Sequence, residues 1–317
     1  MTRRAERMDS RIKSMARKVQ RQSSDRRDEV EPATAMRHEQ SGFTFNKQAI
    51  RTTRIAAAQL CSLAGLPVRV YDKLSPEQRP ATFNELFSNL GDRHLMFRFK
   101  GDQLLGVVSP NYQKIDNDVL MVVVRRAFSV LKLVPVTTIL SPEYSFIRLI
   151  PEGQSASSRE LTPCMTVANS EIGLSAFRIM AGVFRMVCGN GLIVEEKQRD
   201  WRWVHYGSDV EVKPNLSEVM YVANRHVRLM DGTKGRYLNV EQKIALANSI
   251  KRDLGVKVGN AFTEAANRDY YGGRDWYCAI NALTHAAQLF QPLKQTEIEE
   301  YSGRILAGSI FNGFETN

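Results

Sequence analysis

The densest chemistry in the chain lies between Lys197 and Tyr206, in the run KQRDWRWVHY. In an extended strand Arg199, Trp201, Trp203 and His205 share one face, with Arg202, Val204 and Tyr206 opposite. Indole rings stack on unpaired bases while guanidinium groups balance phosphate charge, at about 1–3 kcal/mol per stacked base. Lys197, Arg199, Trp201, Arg202 and Trp203 are therefore candidate nucleic-acid-binding residues. The same pattern also describes an edge strand whose tryptophans cover a core while its arginines face water.

Just upstream, the stretch TPCMTVANSEIGLSAFRIMAGVFRMVCGNGLIV from Thr162 to Val194 is the longest passage with few charges. Arg178 and Arg185 within it would be costly in a core unless paired, so they read as surface residues of a sheet or as contributors to an anion-binding groove. Asn190 lies between Gly189 and Gly191 and, like Asn169 and Ser170, either fixes a turn through backbone hydrogen bonds or contacts a base edge. Gly189-Asn190-Gly191 reads as a tight turn that needs positive φ.

A search for catalytic groups returns little. The five histidines form no HxH, HExxH or HxxE pair, and no GxxxxGK[ST] or GxSxG motif occurs. Asp116 and Asp118 flank Asn117, where they could help hold Mg²⁺ or favour a helix N-terminus. Glu171, Glu195 and Glu196 have no partner that spacing identifies. Cys61, Cys164, Cys188 and Cys278 are widely spaced in apolar surroundings and read as buried free thiols. No cofactor or metal site is expected.

The formal net charge of +10 favours a polyanionic partner. Residues 1–41 contain 11 Lys/Arg and 7 Asp/Glu, so they supply +4 of it. They read as a disordered basic arm, although Met8, Ile12, Met15 and Val19 form a thin helical stripe. No apolar run approaches the roughly 20 residues of a membrane span, and the charged N-terminus has no apolar signal segment. A cytoplasmic protein without a membrane partner is expected.

Period and punctuation supply the elements that must position these groups. Helices are expected from Asn46 to Ala64 and from Ser75 to Gly91. Strands in HLMFRFK and QLLGVVS form a hairpin, followed by a helix near Asp118–Leu131 and a second hairpin over 134–150. Beyond Pro214 the chain reads as helical, with stripes over 216–230, 240–254, 276–290 and 296–310. The expectation is an α+β protein: a central antiparallel, meander-like sheet flanked by N-terminal helices and a helical C-terminal half. One domain over 42–317 is expected, with helices plus sheet in 42–210 and the helical half in 211–317.

Three passages resemble a known family: VVSPNYQKIDNDVL (Val107 to Leu120), ANSEIGLSAFRIMAGVFRMVCGNGL (Ala168 to Leu192) and WYCAINALTHAAQ (Trp276 to Gln288). They are similar to the phage- and plasmid-borne family catalogued as domain of unknown function number 932. That resemblance implies a product of a mobile element or phage, working in the host cytoplasm beside replication, recombination or defence. With the basic-aromatic passage, it leads to the expectation of a non-enzymatic nucleic-acid-binding protein, favouring single-stranded DNA and open to homo-oligomer formation. The alternatives are a metal-dependent nuclease, a nucleotide-modifying enzyme, or a protein-binding counter-defence factor.

Overall fold

The computed structural model describes residues 3–153, 160–185, 190–193, 201–207, 211–268 and 274–308. The first of these segments corrects the sequence expectation. Instead of a disordered arm, the chain begins with α1 (Arg3–Ser23), followed by β1 (Arg26–Pro32), β2 (Met36–Glu39), β3 (Gly42–Phe45), β4 (Gln48–Ala49) and β5 (Arg51–Thr52). Ile12, Met15 and Val19 are buried in the main core, so the thin stripe is sufficient to dock α1. Strand β1 is too charged to read as a strand by itself. Its order comes from a partner far along the chain.

The next helices, α2 (Arg54–Leu63), α3 (Val68–Tyr71) and α4 (Gln78–Ser88), precede the hairpin of β6 (His94–Lys100) and β7 (Gln103–Val108). Helix α2 starts at Arg54 and not at the expected Asn46, because β4 and β5 occupy the intervening residues and Thr53 is the cap: its side chain accepts from Ala56 N at 3.0 Å. The first sheet has the order β1-β6-β7-β5, with β1 antiparallel to β6 along its full length. Strands β2-β3-β4 form a small sheet. Phe43, Phe45, Phe83, Phe87, Phe97 and Phe99 join the core between these sheets and helices.

After α5 (Asn117–Leu131) come β8 (Leu133–Ile139), β9 (Ser145–Pro151), β10 (Leu161–Asn169), β11 (Phe177–Arg185), β12 (Asn190–Ile193) and β13 (Arg202–Trp203). Neighbouring strands from β8 to β12 pair antiparallel in sequence order, a meander, and β13 pairs with β11. One face, with Ile147, Leu149, Met165, Val167, Phe177 and Ile179, packs on α1, α5 and α6 (Leu216–Asp231). The remaining helices are α7 (Val240–Leu254), α8 (Val256–Ala266), α9 (Trp276–Ala287) and α10 (Pro292–Leu306). Helix α10 meets the sheet through polar groups: Arg148 bonds Glu299, Arg178 bonds Glu300, and Tyr144 donates to Thr296 at 2.9 Å. Burial on both faces explains why β10 is buried at every position. The α+β architecture agrees with the sequence reading.

Arg148 and Glu299 are both fully buried, and Gln295 Nε2 also donates to Glu299 at 2.9 Å. Burial pushes the Glu299 carboxyl up against the opposing pull of Arg148 and Gln295. Gly191 lies in β12 opposite Phe184, without the positive φ expected for it, while Met186 to Gly189 lie outside the described residues. It is small for a different reason. A Cβ there would stand 2.2 Å from Cζ of Arg148.

Two outcomes follow for stability. Ile12→Ala should destabilise by about 2–4 kcal/mol in urea unfolding, as for an aliphatic removed from a packed core; an unchanged midpoint would mean that α1 does not dock. Arg148→Met should cost about 3–5 kcal/mol by leaving Glu299 buried without its cation, and adding Glu299→Leu should recover most of that loss. A double variant as unstable as the single one would place the cost elsewhere.

Candidate nucleic-acid interface

The basic-aromatic passage is only partly within the described residues: Lys197 and Arg199 lie outside them. From Trp201 onward the predicted alternation appears in the burial. Trp201, Trp203 and His205 turn inward, while Arg202, Val204 and Tyr206 are exposed. Trp201 and Trp203 pack against the main core, and Trp203 meets Phe177 edge-on at 5.8 Å between centroids. The tryptophans therefore cover the core, the second of the two sequence readings. The outward face belongs to Arg202 and Tyr206.

Arg178 and Arg185 do not form an open anion groove. Arg178 is half-buried and bonded to Glu300. Arg185 is buried, donates through Nε to Glu160 at 3.0 Å, and lies 5.6 Å over the Tyr277 ring. Each satisfies the condition under which a core tolerates a guanidinium: a carboxylate partner. Asn190 opens β12 opposite Arg185. Asn169 and Ser170 fix loops, as side-chain amides and hydroxyls beside turns commonly do. Asn169 donates to the Ile115 carbonyl at 2.8 Å, and Ser170 Oγ accepts from Leu174 N at 3.0 Å.

Sequence spacing missed a buried charge network behind this face. Arg98 Nε donates to Asp28 at 2.9 Å, its Nη2 to Asp116 at 3.0 Å, and its Nη1 to the Glu171 carbonyl. Lys114 pairs with Asp28 at 2.9 Å, and Arg26 pairs with Glu171. Glu171 also accepts from the Asn117 backbone N–H at 2.9 Å, capping α5 from another part of the chain. Burial alone would raise the Asp28 carboxyl, but the hydrogen bonds and charges of Arg98 and Lys114 hold it below its ordinary value. The three carboxylates thus face three cations. Among the described residues no group of three or more His, Cys, Asp or Glu is placed to hold a metal ion.

Tyr112 joins the network to the outward face. Its hydroxyl donates to the Ser170 carbonyl at 3.0 Å, Arg98 lies 5.7 Å over its ring, and the ring itself stacks parallel on His205 at 4.7 Å. His205 Nδ1 stands 3.0 Å from the Gln113 carbonyl, and burial lowers the ring's pKa. A carbonyl only accepts, so the neutral imidazole carries its proton on Nδ1.

A second basic surface lies along α1. Arg11, Lys13, Arg17, Lys18 and Arg21 are exposed on it. A groove of about 530 Å³ separates it from α5, with Lys13, Arg17 and Arg125 along its sides and Val19 and Met121 in its lining. Lys13 pairs with Asp9 at 2.6 Å.

An α+β chain built on a doubly covered meander, with basic outer surfaces, is the class that this geometry defines. Residues 104–252, just under half of the chain, match the model of the family described as Domain of unknown function (DUF932). Two of the three passages that carry the sequence resemblance fall inside it, and Trp276 to Gln288 falls beyond it. The UPF0380 protein YafZ of Escherichia coli (strain K12) is 28% identical over 146 residues, covering 46% of this chain and 52% of the relative. The chain thus spans about half the length of that curated relative. No solved structure matches the chain. Among the described residues no helix is long and apolar enough to cross a membrane.

Acid should weaken the fold through its buried histidines. Burial, with Arg225 nearby, pushes His226 down to about 4, whereas an unfolded histidine titrates near about 6.5. Between those values the unfolded chain binds the extra proton, so stability is full above the upper value and falls as pH drops to the lower one. Glu299, raised by burial, acts in the opposite sense. The readout is therefore the difference between wild type and His226→Gln in unfolding free energy from about pH 6.5 to 4.5. The variant should show the shallower decline on acidification, and parallel curves would refute the assignment.

Proposed function

We infer that this chain binds nucleic acid without catalysing a reaction on it, single strands in preference to duplex. The observation that carries this reading is α1. Between Arg3 and Ser23 the sequence has eight basic and two acidic residues, a net +6 from a helix that is part of the folded body. Such a surface attracts phosphate and gains from counterion release. The preference for single strands rests on Tyr206, 67% exposed and in the same cleft lining as Arg202. A base presents its face to an external ring only when it is not stacked within a duplex. The family resemblance supports a role for a phage or plasmid product beside replication or recombination in the host cytoplasm, with homo-oligomer formation open to it.

Retention of a single-stranded oligonucleotide should fall steeply with salt, with a slope of about −0.7 per neutralised phosphate. Arg17→Ala, Lys18→Ala and Arg21→Ala combined should flatten that slope by one to two units, at about 0.7 for each phosphate that is no longer neutralised. Their exposure keeps folding intact, to be checked by thermal unfolding. Failure of the wild type to retain the strand at about 50 mM salt, where the electrostatic contribution is strong, would overturn the reading. So would a triple variant with an unchanged slope.

A further inference from the structure

A cleft of about 470 Å³ opens where β7, the turn after Ser170 and the segment following β13 meet. Its lining includes Val108, Tyr112, Gly173, Arg202, His205 and Tyr206. The two buried rings, Tyr112 and His205, lie 5° from parallel, and the Tyr206 ring projects into solvent. Two backbone links fix this arrangement. Tyr112 and Tyr206 form an antiparallel bridge, and Gln113 N donates to His205 O at 3.1 Å. Gly173 has φ +78°, and a Cβ there would stand 3.1 Å from Val108, so the turn approaches β7 closely only because the residue is glycine. These links fix the backbone that frames the cleft, and Arg202 and Tyr206 extend from it.

Charge selects the ligand class. Arg202 stands directly across from Arg178 in the β11–β13 register. Like charges in that relation repel. Arg178 is answered by Glu300, whereas Arg202 has no carboxylate within ion-pair reach among the described residues. An exposed guanidinium without a carboxylate partner among the described residues favours an anion, and the exposed Tyr206 ring in the same lining favours a planar group. His205 adds a polar group at this place. It is buried, and among the described residues its Nε2 makes no hydrogen bond of ordinary geometry.

We propose that this cleft seats a single nucleotide, its base stacked on Tyr206 and its phosphate on Arg202. The proposal rests on the nucleic-acid reading and gives it a local site: α1 follows the phosphates and the cleft takes one base. A short chain of contacts links the groove beside α1 to the cleft. Asp118 borders the groove, Asp116 two residues before it bonds Arg98, and Arg98 lies over Tyr112 in the cleft.

Adenosine 5′-monophosphate and adenosine, titrated separately into the full chain and followed by NMR chemical shifts, test the site without an oligonucleotide. The nucleotide should bind, and Tyr206→Ala should weaken it by about tenfold, the usual scale for one stacked base. Tyr206→Phe, which keeps the ring, should stay close to wild type. Arg202→Ala should weaken the nucleotide but not the nucleoside. Unchanged nucleotide binding by Tyr206→Ala, or no binding by the wild type, would overturn the cleft site. The α1 triple variant separates the two ideas, because it should hold the free nucleotide normally while losing the strand. A wild type that holds the strand but not the nucleotide would remove the cleft and leave the nucleic-acid reading standing. Nucleotide binding without strand retention would support the cleft and remove that reading.

Discussion

Arg98 has to keep its charge in an interior nearly closed to water, and much of the structure is arranged around that requirement. Burial disfavours its guanidinium, but Asp116 and Asp28 more than reverse the effect and raise its pKa. To supply those partners, β1 must lie along β6 and the start of α5 must face the same point. The turn between β10 and β11 completes the set through the Glu171 carbonyl, while the Glu171 side chain pairs with Arg26 and caps α5. The joint between the two larger sheets is thus polar and specific. A buried pair is weak evidence of net stability, but removing one member leaves the other uncompensated.

A similar constraint acts on the far face of the meander. Arg148 is buried between Phe146 and Phe184, with Glu299 of α10 as its counterion. The arginine needs room, and Gly191 provides it by having no side chain. Arg178 repeats the arrangement with Glu300, one residue further along α10. Helix α10 is therefore held to the sheet partly by ions, and the sheet face beneath it could not be wholly apolar. These pairs also determine which arginines remain for a ligand. Arg178 and Arg185 are committed inside the chain, whereas Arg202 remains outside.

Period was legible and partnership was not. Leu95, Phe97 and Phe99, the apolar runs of β10 and β11, and the stripes of α6 and α9 announced their elements, because hydrophobic spacing is a local property. The meander followed from connections too short for crossovers. Arg98 falls on the face of HLMFRFK opposite Leu95, Phe97 and Phe99, and nothing within a few positions shows that β6 is covered on both faces. Its carboxylate partners stand 70 and 18 positions away. Arg26 and Glu171 are 145 positions apart. The same limit hid β1, whose charged sequence becomes a strand only against β6. In the candidate interface the alternation from Trp201 to Tyr206 was legible, but the side facing water was not, because it depends on Phe177 in the neighbouring strand.

The position of α1 couples fold and proposed activity. The helix contributes Ile12, Met15 and Val19 to the main core and also carries the largest local excess of positive charge. A truncation that removes it takes both away, so loss of binding after deletion would say nothing about charge. Substitutions confined to the exposed residues Arg17, Lys18 and Arg21 leave the buried stripe intact and act on the field alone. The reverse also holds. A substitution at Ile12 weakens docking and moves all of the helix's charges together, so it would change both melting and strand retention. That shared dependence would not arise if the basic residues formed a free arm, because a free arm changes the field without affecting the fold.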